Sequence, residues 1–121
     1  MSLDVAAHVA IGASVIGMNY RKVDNLDGLA KYKLREWRGA YGVRPIVCLQ
    51  AWFMIHKQAN RHGCSTIHFY WALHFMKTYK TETEIARHVK TTPKTFRLRV
   101  KTIIKLLAGN VHRVVSLFER L

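Results

Sequence analysis

Residues 81–108 read TETEIARHVKTTPKTFRLRVKTIIKLLA, and the fold is decided there. Thr81 stands three residues ahead of Glu84, the spacing at which the threonine side chain accepts from the Glu84 amide while the glutamate reaches back. A short helix therefore starts at Thr81 and runs to about His88. Val89, Lys90 and Thr91 form a turn, and Thr92 followed by Pro93 starts the chain into a second helix. Threonine suits the cap position, and proline the first helical position, because an amide there has no intrahelical acceptor in any case. The second helix runs to Ala108, with Gly109 and Asn110 as its stop.

The faces of that second helix differ. Phe96, Val100, Ile103 and Leu107 recur at steps of four, three and four residues and form one apolar stripe. Lys94, Arg97, Lys101 and Lys105 recur at three, four and four, placing four cations on another side, with Arg99 on a flank. Like charges at this spacing repel by a few tenths of a kcal/mol per pair, roughly, so the arrangement suits a polyanion opposite it.

Upstream, residues 65–79 predict a helix capped by Ser65 or Thr66 and dense enough in Ile67, Tyr70, Trp71, Leu73 and Met76 to be buried on most sides. Before it, Pro45 opens a helix carrying Leu49, Trp52 and Phe53, which ends near residues 60–63. Residues 39–43 read as a turn, residues 29–38 as a helix, and residues 3–18 as a weak helix interrupted by Gly12 and Gly17. The last eleven residues fit either strand or helix. No sustained period-two alternation appears, so the chain reads as all-α, a small helical domain with a tri-helical helix-turn-helix at 67–108. Its expected organisation is an N-terminal helical extension over 1–34, a DNA-binding domain over 35–110 and a tail over 111–121.

The charge balance agrees with a polyanionic partner. Twenty Lys and Arg stand against seven Asp and Glu, a formal net charge of +13 on 121 residues. Between Lys77 and Lys105 nine cations face two acids, so this segment supplies +7 of the total. Half of the residues are apolar, enough for a packed core and unlike a basic tail that folds only on its partner. Residues 5–18 are shorter than the ~20 residues needed to span a bilayer.

The expected partner is double-stranded DNA, with a second copy of the chain as a further candidate; neither a membrane nor a small-molecule substrate is expected. In a helix-turn-helix the start of the second helix enters the major groove, which nominates Lys94, Thr95, Arg97 and Leu98 for base edges or groove walls. Lys101 and Lys105 lie further along, nearer a backbone strand. Arg87, Lys90 and Thr91, in the short helix and turn, are suited to phosphates.

Other constellations carry less. His62, Cys64 and His68, with Cys48 as a distant fourth ligand, lack the paired spacing of zinc sites, and no metal or other cofactor is expected. No Walker-type phosphate loop is present, and Trp37, Tyr41, Trp52, Phe53, Tyr70, Trp71 and Phe75 fall at helical spacing that makes most of them core rather than a stacking surface for single strands.

Three blocks of sequence resemble one family. Residues 71–82, WALHFMKTYKTE, followed by Pro93-Lys94-Thr95-Phe96-Arg97, together with Arg38-Gly39-Ala40-Tyr41-Gly42-Val43-Arg44-Pro45 and the Val47, Cys48 and Trp52 behind it, resemble the N-terminal region of eukaryotic Harbinger-like DDE transposases. Residues 116–120 resemble the segment leading into that family's catalytic domain. The resemblance spans roughly 35–120. It implies a helical domain that binds terminal repeats or target DNA, placed ahead of a catalytic domain whose three acids hold two divalent metals.

The seven acids here, Asp4, Asp24, Asp27, Glu36, Glu82, Glu84 and Glu119, have no spacing of that kind. The expectation is therefore a nuclear DNA-binding module without catalysis of its own. The alternatives are a truncated fragment of an active transposase, or a helical domain that binds protein or RNA. Arg99, where family members often carry an aromatic residue, and Thr91-Thr92 in the turn depart from the pattern and put inherited sequence specificity in doubt.

Overall fold

In a computed structural model, which describes residues 5–21 and 23–119, the chain forms α1 (Val5–Val15), α2 (Lys31–Tyr41), α3 (Pro45–Arg61), α4 (Thr66–Lys77), α5 (Glu82–His88), α6 (Pro93–Gly109) and α7 (Val111–Glu119). There is no strand among the described residues, and the protein is all-α. The expected first helix is present from Val5; its first two residues, at 3 and 4, lie outside the described residues, as do Arg120 and Leu121 of the tail.

The architecture is organised around α4. Phe69, Tyr70, Trp71, Ala72, Leu73 and His74 are consecutive and all buried, so every side of this helix is covered. α1 and α2 pack on it, as do α3, α5 and α6. Aromatic contacts mark the joints. Tyr70 meets Trp37 and Tyr41 of α2 at ring distances of 5.4 and 4.8 Å, Phe69 meets Trp52 of α3 at 5.5 Å, and Phe96 of α6 lies 5.7 Å from Trp71 and 5.9 Å from Phe75. Each such side chain contributes about 1.5–3 kcal/mol through burial. Val9 and Ala13 of α1 belong to the same core cluster as Phe96, Val100 and Ile103 of α6.

Gly12 is the point of closest approach between α1 and its neighbours. A Cβ built there would lie 2.3 Å from Trp37 Cη2 and 3.1 Å from Tyr70 Cε1. The Gly12 carbonyl, left accessible by the missing side chain, accepts from the Tyr41 hydroxyl at 2.6 Å.

Several boundaries differ from the sequence expectation: α1 stops at Val15 rather than 18, α2 starts at Lys31 rather than 29, and α4 stops at Lys77 rather than 79. α2 continues through Gly39 and Ala40 to Tyr41, where 39–43 had suggested a turn, and ends on Gly42 in the left-handed region at φ 87°. Extension buries Tyr41 and lets the Ala40 carbonyl accept from His74 Nδ1 at 3.1 Å, gains that outweigh the low helix propensity of Gly39.

α3 begins after Arg44 without a cap of its own. Asp27 supplies one from the preceding loop: its carboxylate accepts the Ile46 amide at 3.4 Å and forms an ion pair with Arg44 at 2.7 Å.

Candidate nucleic-acid interface

Both caps read from the sequence are formed. Thr81 Oγ1 accepts from the Glu84 amide at 3.1 Å and donates to its carboxylate at 3.2 Å, and Thr92 Oγ1 accepts from the Thr95 amide at 3.1 Å. The Thr92 hydroxyl also donates to Thr95 Oγ1 at 3.0 Å, which fixes both hydroxyls at the start of α6.

Between the helices, α5 closes with two nested bonds, from the Lys90 amide to the Arg87 carbonyl at 3.2 Å and from the Thr91 amide to the Ala86 carbonyl at 2.9 Å. That closure requires a left-handed residue at position 90. Lysine occupies it, at φ 62°, and no other described non-glycine residue has a positive φ.

On α6, Phe96, Val100 and Ile103 are buried against α4, as the apolar stripe requires, and Leu107 is half-buried. Lys94, Leu98, Lys101 and Lys105 lie on the opposite side at steps of four, three and four residues, and all four are exposed. Leu98 is 59% exposed in the middle of these cations, an apolar side chain on a charged face.

Arg97 does not join them as a free charge. It stands on a flank, and its Nε donates to Glu82 of α5 at 2.6 Å. Arg99 stands on the other flank and turns to the α3–α4 loop, where its guanidinium donates to the His62 carbonyl at 3.3 Å and lies beside Gly63. Arg87 and Lys90 are exposed on α5 and the turn, Thr95 is exposed, and Thr91 is half-buried. Arg87, Lys90 and Thr91 thus lie on α5 and the turn, and Lys94, Thr95, Leu98, Lys101 and Lys105 on α6, with Arg97 paired at the edge.

Sequence spacing could not reveal the partners of Arg97 and Arg99. The two contacts bridge 15 and 37 residues, and no local pattern encodes them. Thr92 was legible as a cap but not as the group that holds Thr95.

His62, Cys64 and His68 do not converge. His68 Nδ1 accepts the Ser65 amide at 3.0 Å and completes the start of α4, while the buried Cys64 thiol faces the Arg99 carbonyl at 3.8 Å. Burial, and then the neighbouring Arg99 charge, lower the His68 pKa. No group of three or more His, Cys, Asp or Glu among the described residues could hold a metal ion. No helix among them is long and apolar enough to cross a membrane.

A second polar constellation lies inside the core. His8, wholly buried on α1, bonds through Nε2 to the Tyr70 hydroxyl, and its Nδ1 has no partner among the described residues. Burial depresses the His8 pKa to about 4, so the ring is neutral at pH 7 and shares a single hydrogen bond with the tyrosine hydroxyl. Burial likewise pushes the Cys48 thiol up to about 12, which marks it as a packed, unreactive group.

No family model matches the chain, and neither a curated protein nor a solved structure matches it.

Proposed function

We propose that the protein is a nuclear duplex-DNA-binding module without catalysis of its own, in which α4, α5 and α6 act as a helix-turn-helix. The observation that carries this reading is the outer face of α6: Lys94, Leu98, Lys101 and Lys105, exposed together directly after the Thr92-Pro93 start. The first turns of α6 enter the major groove. There Lys94 and Thr95 reach hydrogen-bonding base edges, and Leu98 supplies apolar contact of the kind a thymine methyl accepts. Lys101 and Lys105 meet the phosphates of one strand, while Arg87, Lys90 and Thr91 meet those of the other.

The resemblance of residues 35–120 to the N-terminal region of Harbinger-like transposases supports the same partner. The chain's own charge, +13 overall, supports it independently. In this reading Lys101 and Lys105 position the protein without reading sequence, and Lys94, Thr95 and Leu98 set its preference.

The test is fluorescence anisotropy of labelled duplex DNA across a salt series. Duplex affinity falls steeply with salt, and Lys101→Ala and Lys105→Ala each weaken binding to all sequences alike, lowering the log–log salt slope by roughly one. Leu98→Ala or Thr95→Ala changes the ranking of sequences instead. Absence of duplex binding by folded protein at low salt overturns the proposal. Tighter binding to an RNA duplex or a single strand than to DNA assigns the face to RNA.

A further inference from the structure

Beside the outer face of α6 runs a groove of 470 Å³ between this helix and the end of α4. Its floor is apolar, formed by the half-buried Phe75 and Ile104 over the buried Phe96 and Val100, and its α6 edge carries Lys101 and Lys105. Glu82, the acid among its lining residues, is already paired with Arg97. An open apolar trough rimmed by unpaired ammonium groups does not match duplex DNA, which offers phosphates but no apolar ridge. It matches an amphipathic helix whose apolar stripe is bordered by carboxylates.

We propose that an acidic amphipathic helical segment of a partner protein docks in this groove and, by engaging Lys101 and Lys105, excludes duplex DNA from α6. Lys105 stands eight positions after Arg97, so the groove follows α6 for roughly 12 Å, enough for about two turns of a partner helix. Anchors spaced by three and four residues reach Phe75 and Ile104, and flanking carboxylates meet the two lysines.

A second copy of this chain is a poor occupant. Its net charge is +13, and α5, which carries both Glu82 and Glu84, is already packed on its own α6. The apolar groove stands independently of the DNA reading; only the exclusion rests on it.

The experiment uses a labelled peptide of about 14 residues built from Leu, Phe, Ala and Glu, with an apolar stripe at helical spacing and a net charge of about −5, beside a shuffled isomer that lacks the stripe. The striped peptide binds, the shuffled one binds at least about tenfold more weakly, and Ile104→Gln weakens the striped peptide by about tenfold while duplex affinity stays within about twofold. Amide shift mapping on the unaltered protein places the striped peptide at Phe75, Val100 and Ile104, a readout that needs no variant. Increasing peptide then displaces labelled duplex.

Equal binding of the two isomers, shifts centred on Lys94 and Leu98, or simultaneous binding of peptide and duplex overturns the inference. So does a concentration-dependent dimer that Ile104→Gln dissolves. Peptide binding in the groove without any duplex binding at low salt sinks the DNA reading and the exclusion with it but leaves the docking standing, and duplex binding without peptide binding sinks the docking alone.

Discussion

Lys90 offers the sharpest test of how stability and binding are divided in this molecule. Four of its helices end through a left-handed residue, and α1, α2 and α3 use glycine there: Gly17, Gly42 and Gly63. α5 uses Lys90 at φ 62°. An L-residue in this conformation costs roughly 1–2 kcal/mol through contact of Cβ with its own backbone, while glycine gives back about 0.5–1 kcal/mol of that through its freer unfolded chain. Relieving the strain is therefore worth about 1 kcal/mol.

Against this, the ammonium group next to the C-terminal end of α5 contributes about 0.3–1 kcal/mol with the helix dipole. Lys90→Ala loses that contribution and keeps the strain. Lys90→Gly loses it and relieves the strain. Urea unfolding should place Lys90→Ala about 0.5 kcal/mol below the native protein and Lys90→Gly about 1 kcal/mol above Lys90→Ala, a melting gap of about 4 °C in a domain of this size.

Duplex affinity should fall equally in both variants, with the salt slope reduced by about one, because both delete the same charge. A glycine variant no more stable than the alanine variant refutes the strain argument. A glycine variant that binds DNA distinctly worse than the alanine variant refutes the view that position 90 acts only through its charge.

The remaining predictions concern the core and the edge of the α6 face. His8 has a folded pKa of about 4 against the ordinary 6.5, so the unfolded chain binds its proton first; the stabilisation is complete above pH 6.5 and is lost as pH falls to 4, about 3 kcal/mol in all. His8→Gln should remove that part of the acid sensitivity, and parallel stability-against-pH curves for the two proteins would disprove it. Gly12→Ala should destabilise at the upper end of the roughly 1–3 kcal/mol range for overpacking, because Trp37 is fully buried and cannot move aside. Gly39→Ala, with nothing within 4 Å of its new Cβ, should instead stabilise by about 0.5–1 kcal/mol; melting curves that place both variants on the same side of the native protein contradict the packing described for α1 and α2. Glu82→Ala should release Arg97 and tighten duplex binding several-fold while shifting stability by less than about 1 kcal/mol, since the pair is solvent-facing; unchanged affinity would show that Arg97 does not reach the duplex.

The legible parts of the fold were those encoded within one or two helical turns. Thr81 with Glu84, and Thr92 with Pro93, state where helices begin because the capping bond spans three residues. The stripe of Phe96, Val100 and Ile103 states which side of α6 is buried because 3.6-residue periodicity is local. What escaped is non-local. His8 lies in a run of small apolar residues, and nothing near it announces Tyr70, 62 residues away. Gly39 looked like a breaker, yet the reward for continuing α2 comes from His74 and the burial of Tyr41. The spacing of Arg97 with Lys94, Lys101 and Lys105 suggested one helix face, but Arg97 stands on its flank and its charge is answered from another helix. The tail, ambiguous as sequence, is helical through Glu119 in α7.

These non-local contacts also explain why one face of α6 is open. Phe96 is held between Trp71 and Phe75 and fixes the helix from below. On one flank the Arg99 side chain grips the His62 carbonyl while the Cys64 thiol meets the Arg99 carbonyl; on the other, Arg97 reaches Glu82. Turning α6 by a single residue, 100°, would break all three restraints and drive Lys101 toward the apolar floor, a desolvation that an unpaired ammonium group resists by several kcal/mol, roughly. The rotation of the helix is therefore set chiefly by its buried and flanking residues; Lys94, Leu98, Lys101 and Lys105 make no contact that holds it in the folded state. Substitutions among these four should leave stability nearly unchanged while altering binding, so that surface chemistry at this face is free to vary on a scaffold that does not depend on it.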